Sequence, residues 1–93
     1  MFDNLDPLLH SQLRLGVMSL LMSVESAEFN YLKEKTSSTA GNLSVQLDKL
    51  SAAGYITIQK SFKGKKPVTT CTITANGIKA FEAYVNVLKQ YIK

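Results

Sequence analysis

The side chains that could do chemistry in this chain are amides and lysines. Asn42 and Gln46 stand four residues apart, one turn of a helix. A side-chain amide offers a donor and an acceptor together, which matches adenine N7 and N6 in the DNA major groove. Around them lie Ser38, Thr39 and Ser44, short hydroxyls able to donate to phosphates or bases, and Val45, able to touch a thymine methyl. Gly41 leaves room for a close backbone approach. The second group is cationic. No acid occurs between Asp48 and Glu82, and that gap holds Lys49, Lys60, Lys63, Lys65, Lys66 and Lys79. Lys63, Lys65 and Lys66 fall within four residues, where they would bind any duplex through counterion release without reading its sequence.

Catalysis is poorly served by contrast. One histidine, His10, and one cysteine, Cys71, leave no nucleophile–base pair to draw, and no glycine-rich phosphate loop is present. His10 has no Cys or His at ligand spacing, so neither a metal nor a cofactor is expected. Cys71 alternates with Ile73 on an extended stretch and reads as a small core residue; a lone cysteine fits a reducing compartment. The longest apolar stretch, Val17–Met22, is far short of the roughly 20 residues that span a bilayer, and no signal peptide is read. A cytoplasmic protein without a membrane partner is expected.

The elements that must position these residues follow from spacing. The chain has 93 residues, 45% hydrophobic and 19% charged with a net charge of +4, which fits one globular domain and excludes disorder. Asp6-Pro7 reads as the cap and first position of a helix running to about Met22, with Leu9, Leu13, Val17, Leu20 and Leu21 on its buried face. Gly16 inside it points to a backbone passing close. Ser26 reads as the cap of a second helix, about Ala27 to Lys35. A third runs from about Thr39 to Ala53, with Ala40, Leu43, Leu47 and Leu50 inward and Gly54 ending it.

The period then changes from 3.6 to 2. Tyr55–Ser61 and Val68–Thr74 read as two strands of a hairpin whose tip, Phe62–Pro67, is basic and turns at Gly64. Thr74 caps a last helix, about 75–92. There Ile78, Phe81, Val85, Leu88 and Ile92 form a heptad seam that Tyr84 and Tyr91 widen. The order α-α-α-β-β-α is mainly helical with a small hairpin, a winged helix-turn-helix. In that architecture the third helix enters the major groove and the hairpin reaches the neighbouring backbone or minor groove. The long terminal helix carries more apolar surface than the body covers, which predicts a homodimer through Ile78, Phe81, Tyr84, Val85, Leu88 and Ile92.

Two motifs then carry a resemblance. The run from Ser38 to Leu50 followed by Ala53-Gly54-Tyr55-Ile56 resembles the recognition helix of small MarR/ArsR-like winged-helix transcriptional regulators. Gly64-Lys65-Lys66-Pro67, then Ile73-Thr74-Ala75-Asn76-Gly77, is similar to that family's wing and the cap of its last helix, and Arg14 suits the same pattern. The resemblance covers roughly residues 10–82 and implies a dimeric DNA-binding repressor or activator. Relatives often carry a basic residue or histidine where this chain has Val45 and Gln46. The partners expected are double-stranded DNA and a second copy of the chain. A small-molecule effector, if one acts, would bind at the dimer interface or between helices. The rival readings are a winged helix that binds protein, and one that binds RNA.

Overall fold

Leucines at helical spacing build the centre of the molecule. In the computed structural model, which describes residues 2–92, the elements are α1 (Gln12–Val24), β1 (Ser26–Glu28), α2 (Phe29–Thr36), α3 (Ala40–Ala52), β2 (Ile56–Lys63), β3 (Lys66–Ile73) and α4 (Ala75–Leu88). Val17, Met18 and Leu21 of α1 meet Leu32 of α2 and Leu43, Leu47 and Leu50 of α3 in one buried cluster. Ile56, Cys71 and Ile73 close it from the sheet and Tyr84 from α4. This is a winged helix fold. No helix among the described residues is long and apolar enough to cross a membrane.

The sheet has three strands, not two, in the order β1-β3-β2. Ser26–Glu28, read from sequence as a helix start, instead pairs antiparallel with β3 in the register Ser26↔Thr72, Ala27↔Cys71 and Glu28↔Thr70. A Ser26–Thr72 hydroxyl contact of 2.6 Å ties the pair, so the Ser26 side chain serves a strand and not a cap. Immediately before it, Glu25 closes α1 with φ 70°, a backbone region few non-glycine residues visit.

The first helix begins five residues later than the Asp6-Pro7 signal implies. Asp6 does cap, but only one turn: its Oδ1 accepts from the Leu8 N–H at 3.0 Å, and its carbonyl accepts from Leu9 and His10. Ser11 is extended, with φ −150°, and separates that turn from α1. The break sinks Leu9 fully into the core while Asp6 Oδ2 accepts from the Tyr55 hydroxyl at 2.6 Å. Gly16 meets no passing backbone; a Cβ there would find only the Thr36 methyl, at 3.8 Å.

The end of α3 follows its sequence signal. Gly54 has φ +79° and donates to the Ser51 carbonyl, while Tyr55 donates to Leu50, the pair of bonds that closes a helix through a left-handed residue. Ala40, however, is exposed, because the first turn of α3 projects beyond the core. Thr74 caps α4 by accepting from Gly77 N–H at 3.0 Å. The helix stops at Leu88, four residues short of the expected end. Lys89–Tyr91 then turn so that Gln90 Nε2 donates to the Asp3 carboxylate at 3.0 Å and the Tyr91 ring stacks on Phe2. The two ends of the chain are thereby held together.

Candidate nucleic-acid interface

A helix-turn-helix presents whatever the outer face of its second helix carries. Here α2 ends at Ser37 in a left-handed turn, φ 52°, and Thr39 Oγ1 caps α3 by accepting from Asn42 N–H at 3.2 Å. Thr39 is thus partly committed to structure, and Ser38 contacts the Thr36 hydroxyl at 2.8 Å. Past the cap, Gly41, Asn42, Ser44, Val45 and Lys49 are all exposed. Val45 is 51% exposed, on the side of α3 away from its leucines. These residues share one solvent face, as their spacing predicts.

Gln46 differs. It is half-buried on the flank of α3 and hydrogen-bonded on both sides. Arg14 of α1 donates through Nη1 to Gln46 Oε1, and Gln46 Nε2 donates to Asn42 Oδ1 at 3.1 Å. Arg14 also donates through Nε to the Leu8 carbonyl. Both amide oxygens therefore already accept a protein donor. That departs from the free donor–acceptor pair that bidentate adenine pairing assumes. Sequence reasoning left Arg14 without a role. The available signal was the chain's one arginine set between Leu13 and Leu15 of an apolar helix, a cation that needs acceptors.

The wing is longer than the sequence implied. Pairing continues to Lys63↔Lys66, so Gly64-Lys65 is a two-residue turn, with Gly64 at φ +67°, and Phe62 and Pro67 belong to the strands. Beyond Ile58 and Val68 the hairpin leaves the body and every side chain on it is exposed. The projection makes the molecule 54 Å long and 21–25 Å across. Among the described residues Lys65 and Lys66 have no acidic partner, and the one ion pair is that of Lys63 Nζ, 3.4 Å from Glu28 of β1. That pair is exposed and adds little stability. Sequence reasoning also passed over Phe62, which is 74% exposed and sits opposite Pro67 amid these lysines. Its signal was the two-residue period of Ile56, Ile58 and Lys60 running on past the end of the body.

The expected seam of α4 divides in two. Tyr84 is only 4% exposed, and its hydroxyl lies 2.9 Å from His10 Nδ1; it belongs to the chain's own core and is withdrawn from any contact with a second copy. Phe81 and Leu88 are half-buried against the same core. Ile78 and Val85 remain on the outer side, and Ile92, 65% exposed, lies beyond the helix. Cys71 is fully buried, and desolvation pushes its thiol up to about 11, so it stays protonated and unreactive at neutral pH. No group of three or more His, Cys, Asp or Glu residues converges among the described residues. An open groove of about 540 Å³ runs between α1 and the α2–α3 turn, lined by Gln12, Gly16, Lys35, Ser38 and Asn42 among others.

Comparison with known proteins agrees with this fold. The family profile of the winged helix DNA-binding domain matches residues 13–92. The chain is 38% identical over 84 residues to an uncharacterized protein of Methanocaldococcus jannaschii, covering 90% of this chain and 91% of that one. A solved transcriptional regulator homologue from Pyrococcus horikoshii superposes with a TM-score of 0.85 at 27% identity, over 91% of this chain and 84% of that one. A structure of reduced AbfR bound to DNA shares the fold, with a TM-score of 0.76 at 18% identity over 86% of this chain and 55% of that one.

Proposed function

The chain belongs to the winged helix DNA-binding domain family, and from that premise we propose that it is a homodimeric, sequence-specific transcriptional regulator. In this reading α3 lies in the major groove. Gly41, Asn42, Ser44, Val45 and Gln46 face bases, with Ser38, Thr39 and Lys49 at its edges against phosphates. Lys63, Lys65 and Lys66 carry the wing onto the neighbouring backbone or minor groove, with Phe62 among them.

One observation carries the reading: the outer face of α3 is small and polar along its first two turns and holds no long charged side chain before Asp48. Such a face fits against base edges, where a crowd of lysines would not. The wing supports it, since a hairpin that buries none of its outer half has no structural need of four lysines. The DNA-bound state of the AbfR neighbour lends the fold a precedent. A second copy is favoured by the exposed apolar side chains of Ile78 and Ile92, with half-buried Val85 between them, at the outer side and end of α4.

The test is selection from a random duplex pool, then titration of the selected site and a scrambled control. Asn42→Ala is expected to cost about 1–3 kcal/mol on the selected site and little on the control. Replacing Lys63, Lys65 and Lys66 by alanine should weaken both DNAs and lower the salt slope by roughly one unit per lysine. Equal losses from Asn42→Ala on both DNAs would remove base reading from α3. DNA binding should weaken steeply with salt, whereas the mostly apolar interface of the protein-binding rival would not.

A further inference from the structure

We infer that Arg14 is a positioning residue for base recognition: it turns the amides of Gln46 and Asn42 into an array of donors, so that α3 reads the acceptor edge of guanine and not the mixed edge of adenine. The inference rests on the reading of α3 as the base-contacting helix.

A guanidinium has five N–H donors and no acceptor. The Gln46 atom that faces Arg14 Nη1 must therefore be its oxygen, which removes the usual ambiguity between the two ends of an amide. With Oε1 held there, Nε2 points along α3 and donates to Asn42 Oδ1 at 3.1 Å. That contact fixes the second amide as well, because an N–H needs an oxygen opposite it. One donor-only group on α1 thus sets the orientation of two side chains on α3. The guanidinium is itself anchored from behind, since its Nε donates to the carbonyl of Leu8 in the Asp6-capped turn. It is not free to swing away when DNA approaches.

What remains for a ligand is unequal. Each amide oxygen has one of its two lone pairs taken by a protein donor, while one N–H of Gln46 and both N–H groups of Asn42 have no partner among the described residues. Asn42 is exposed, so its amide is open to a ligand. In the major groove guanine presents two acceptors side by side, N7 and O6, whereas adenine presents the acceptor N7 beside the donor N6 amino group. A donor array satisfies both guanine atoms and meets the adenine amino group with like polarity. Thymine offers O4 alone. The preference is thus written in α1, a helix whose Arg14 side chain is half-buried.

A simple brace between α1 and α3 would use the same bonds but would not move base preference, and this separates the two ideas. Random duplex would be selected with the wild-type chain, with Asn42→Ala and with Arg14→Met, which keeps the aliphatic stem and removes every donor. At the positions that lose preference in Asn42→Ala, wild type should favour guanine over adenine by about tenfold. In Arg14→Met that ratio should fall to about one or invert. A wild-type preference for adenine, or a guanine preference that survives in Arg14→Met, overturns the inference while leaving base reading by α3 intact. Failure of wild type to enrich any duplex sequence overturns both. If Arg14→Met has lost its helical circular dichroism, Gln46→Glu takes its place. The carboxylate still accepts from Arg14 but has no N–H for Asn42, so the Asn42 amide is free to turn. The position it reads should then shift from guanine toward adenine, and guanine retained there would refute the relay.

Discussion

Asp6 and Tyr55 show how much one polar contact can organise. The Tyr55 hydroxyl donates to Asp6 Oδ2 at 2.6 Å, joining the turn before α1 to the start of β2, and Asp6 also caps its own turn. That hydrogen bond, then burial and the nearby carboxylate charge, push the Tyr55 hydroxyl up to about 12 from its ordinary value of 10. The folded chain consequently holds this proton more tightly than the unfolded chain does. The contact contributes its full stability below about pH 10 and loses it as the pH rises toward about 12. Tyr55→Phe should cost about 1–2 kcal/mol at neutral pH, reduced at this half-exposed site by solvent screening. It should also make the alkaline arm of a stability–pH curve shallower, as read by urea midpoints between pH 8 and 12. A parallel alkaline arm in the variant would mean that other groups, such as the lysines, set it.

At the scale of elements, the two motifs that resemble winged-helix regulators prove to be one packing unit. Thr74 Oγ1 donates to the Gly54 carbonyl at 2.6 Å, Thr74 N–H donates to the Tyr55 carbonyl at 3.0 Å, and Gly77 packs directly on that same carbonyl. A Cβ on Gly77 would lie 2.1 Å from the Tyr55 oxygen, which is backbone and already holds a bond. Gly77→Ala should therefore destabilise the fold by about 3 kcal/mol or more, beyond the usual overpacking range, as seen in a lowered urea midpoint. Gly16→Ala, with only a methyl 3.8 Å away and a gain in helix propensity, should be neutral or stabilising. The α3 stop, the Thr74 cap and the hairpin were legible because each is written in neighbouring residues. β1 was not, since three residues cannot display a period of two and its partner Thr72 lies 46 residues from Ser26. The Arg14–Gln46–Asn42 relay was equally hidden. Its members were visible, and Asn42 and Gln46 were singled out, but only the crossing of α1 on α3 reveals which amide atoms are taken.

The whole molecule is unevenly finished. The wing extends it to 54 Å, and its radius of gyration, 13.9 Å, exceeds the roughly 12 Å of a compact chain this size. On α4, the inner side is completed by Tyr84, Phe81 and Leu88, while Ile78, 36% exposed, and Val85 face away. Val85 shares an open groove with Met22 of α1, Phe81, Glu82 and Asn86, so the uncovered strip joins two helices. A homodimer that covers this strip predicts a sharp contrast between neighbouring substitutions. Ile78→Asp with Val85→Asp should give a monomer by light scattering while the melting curve of the monomer unit survives, because neither residue belongs to the buried core. Tyr84→Asp, one position away, should unfold the chain instead, since it places a charge in that core and removes the His10 contact. The monomeric variant should then lose affinity for a palindromic site, retaining only half-site binding, because two α3 helices must reach major grooves about 10 base pairs apart or a multiple of that. A double variant that remained dimeric and kept full affinity would move the interface off α4, to the paired ends of the chain around Phe2 and Tyr91.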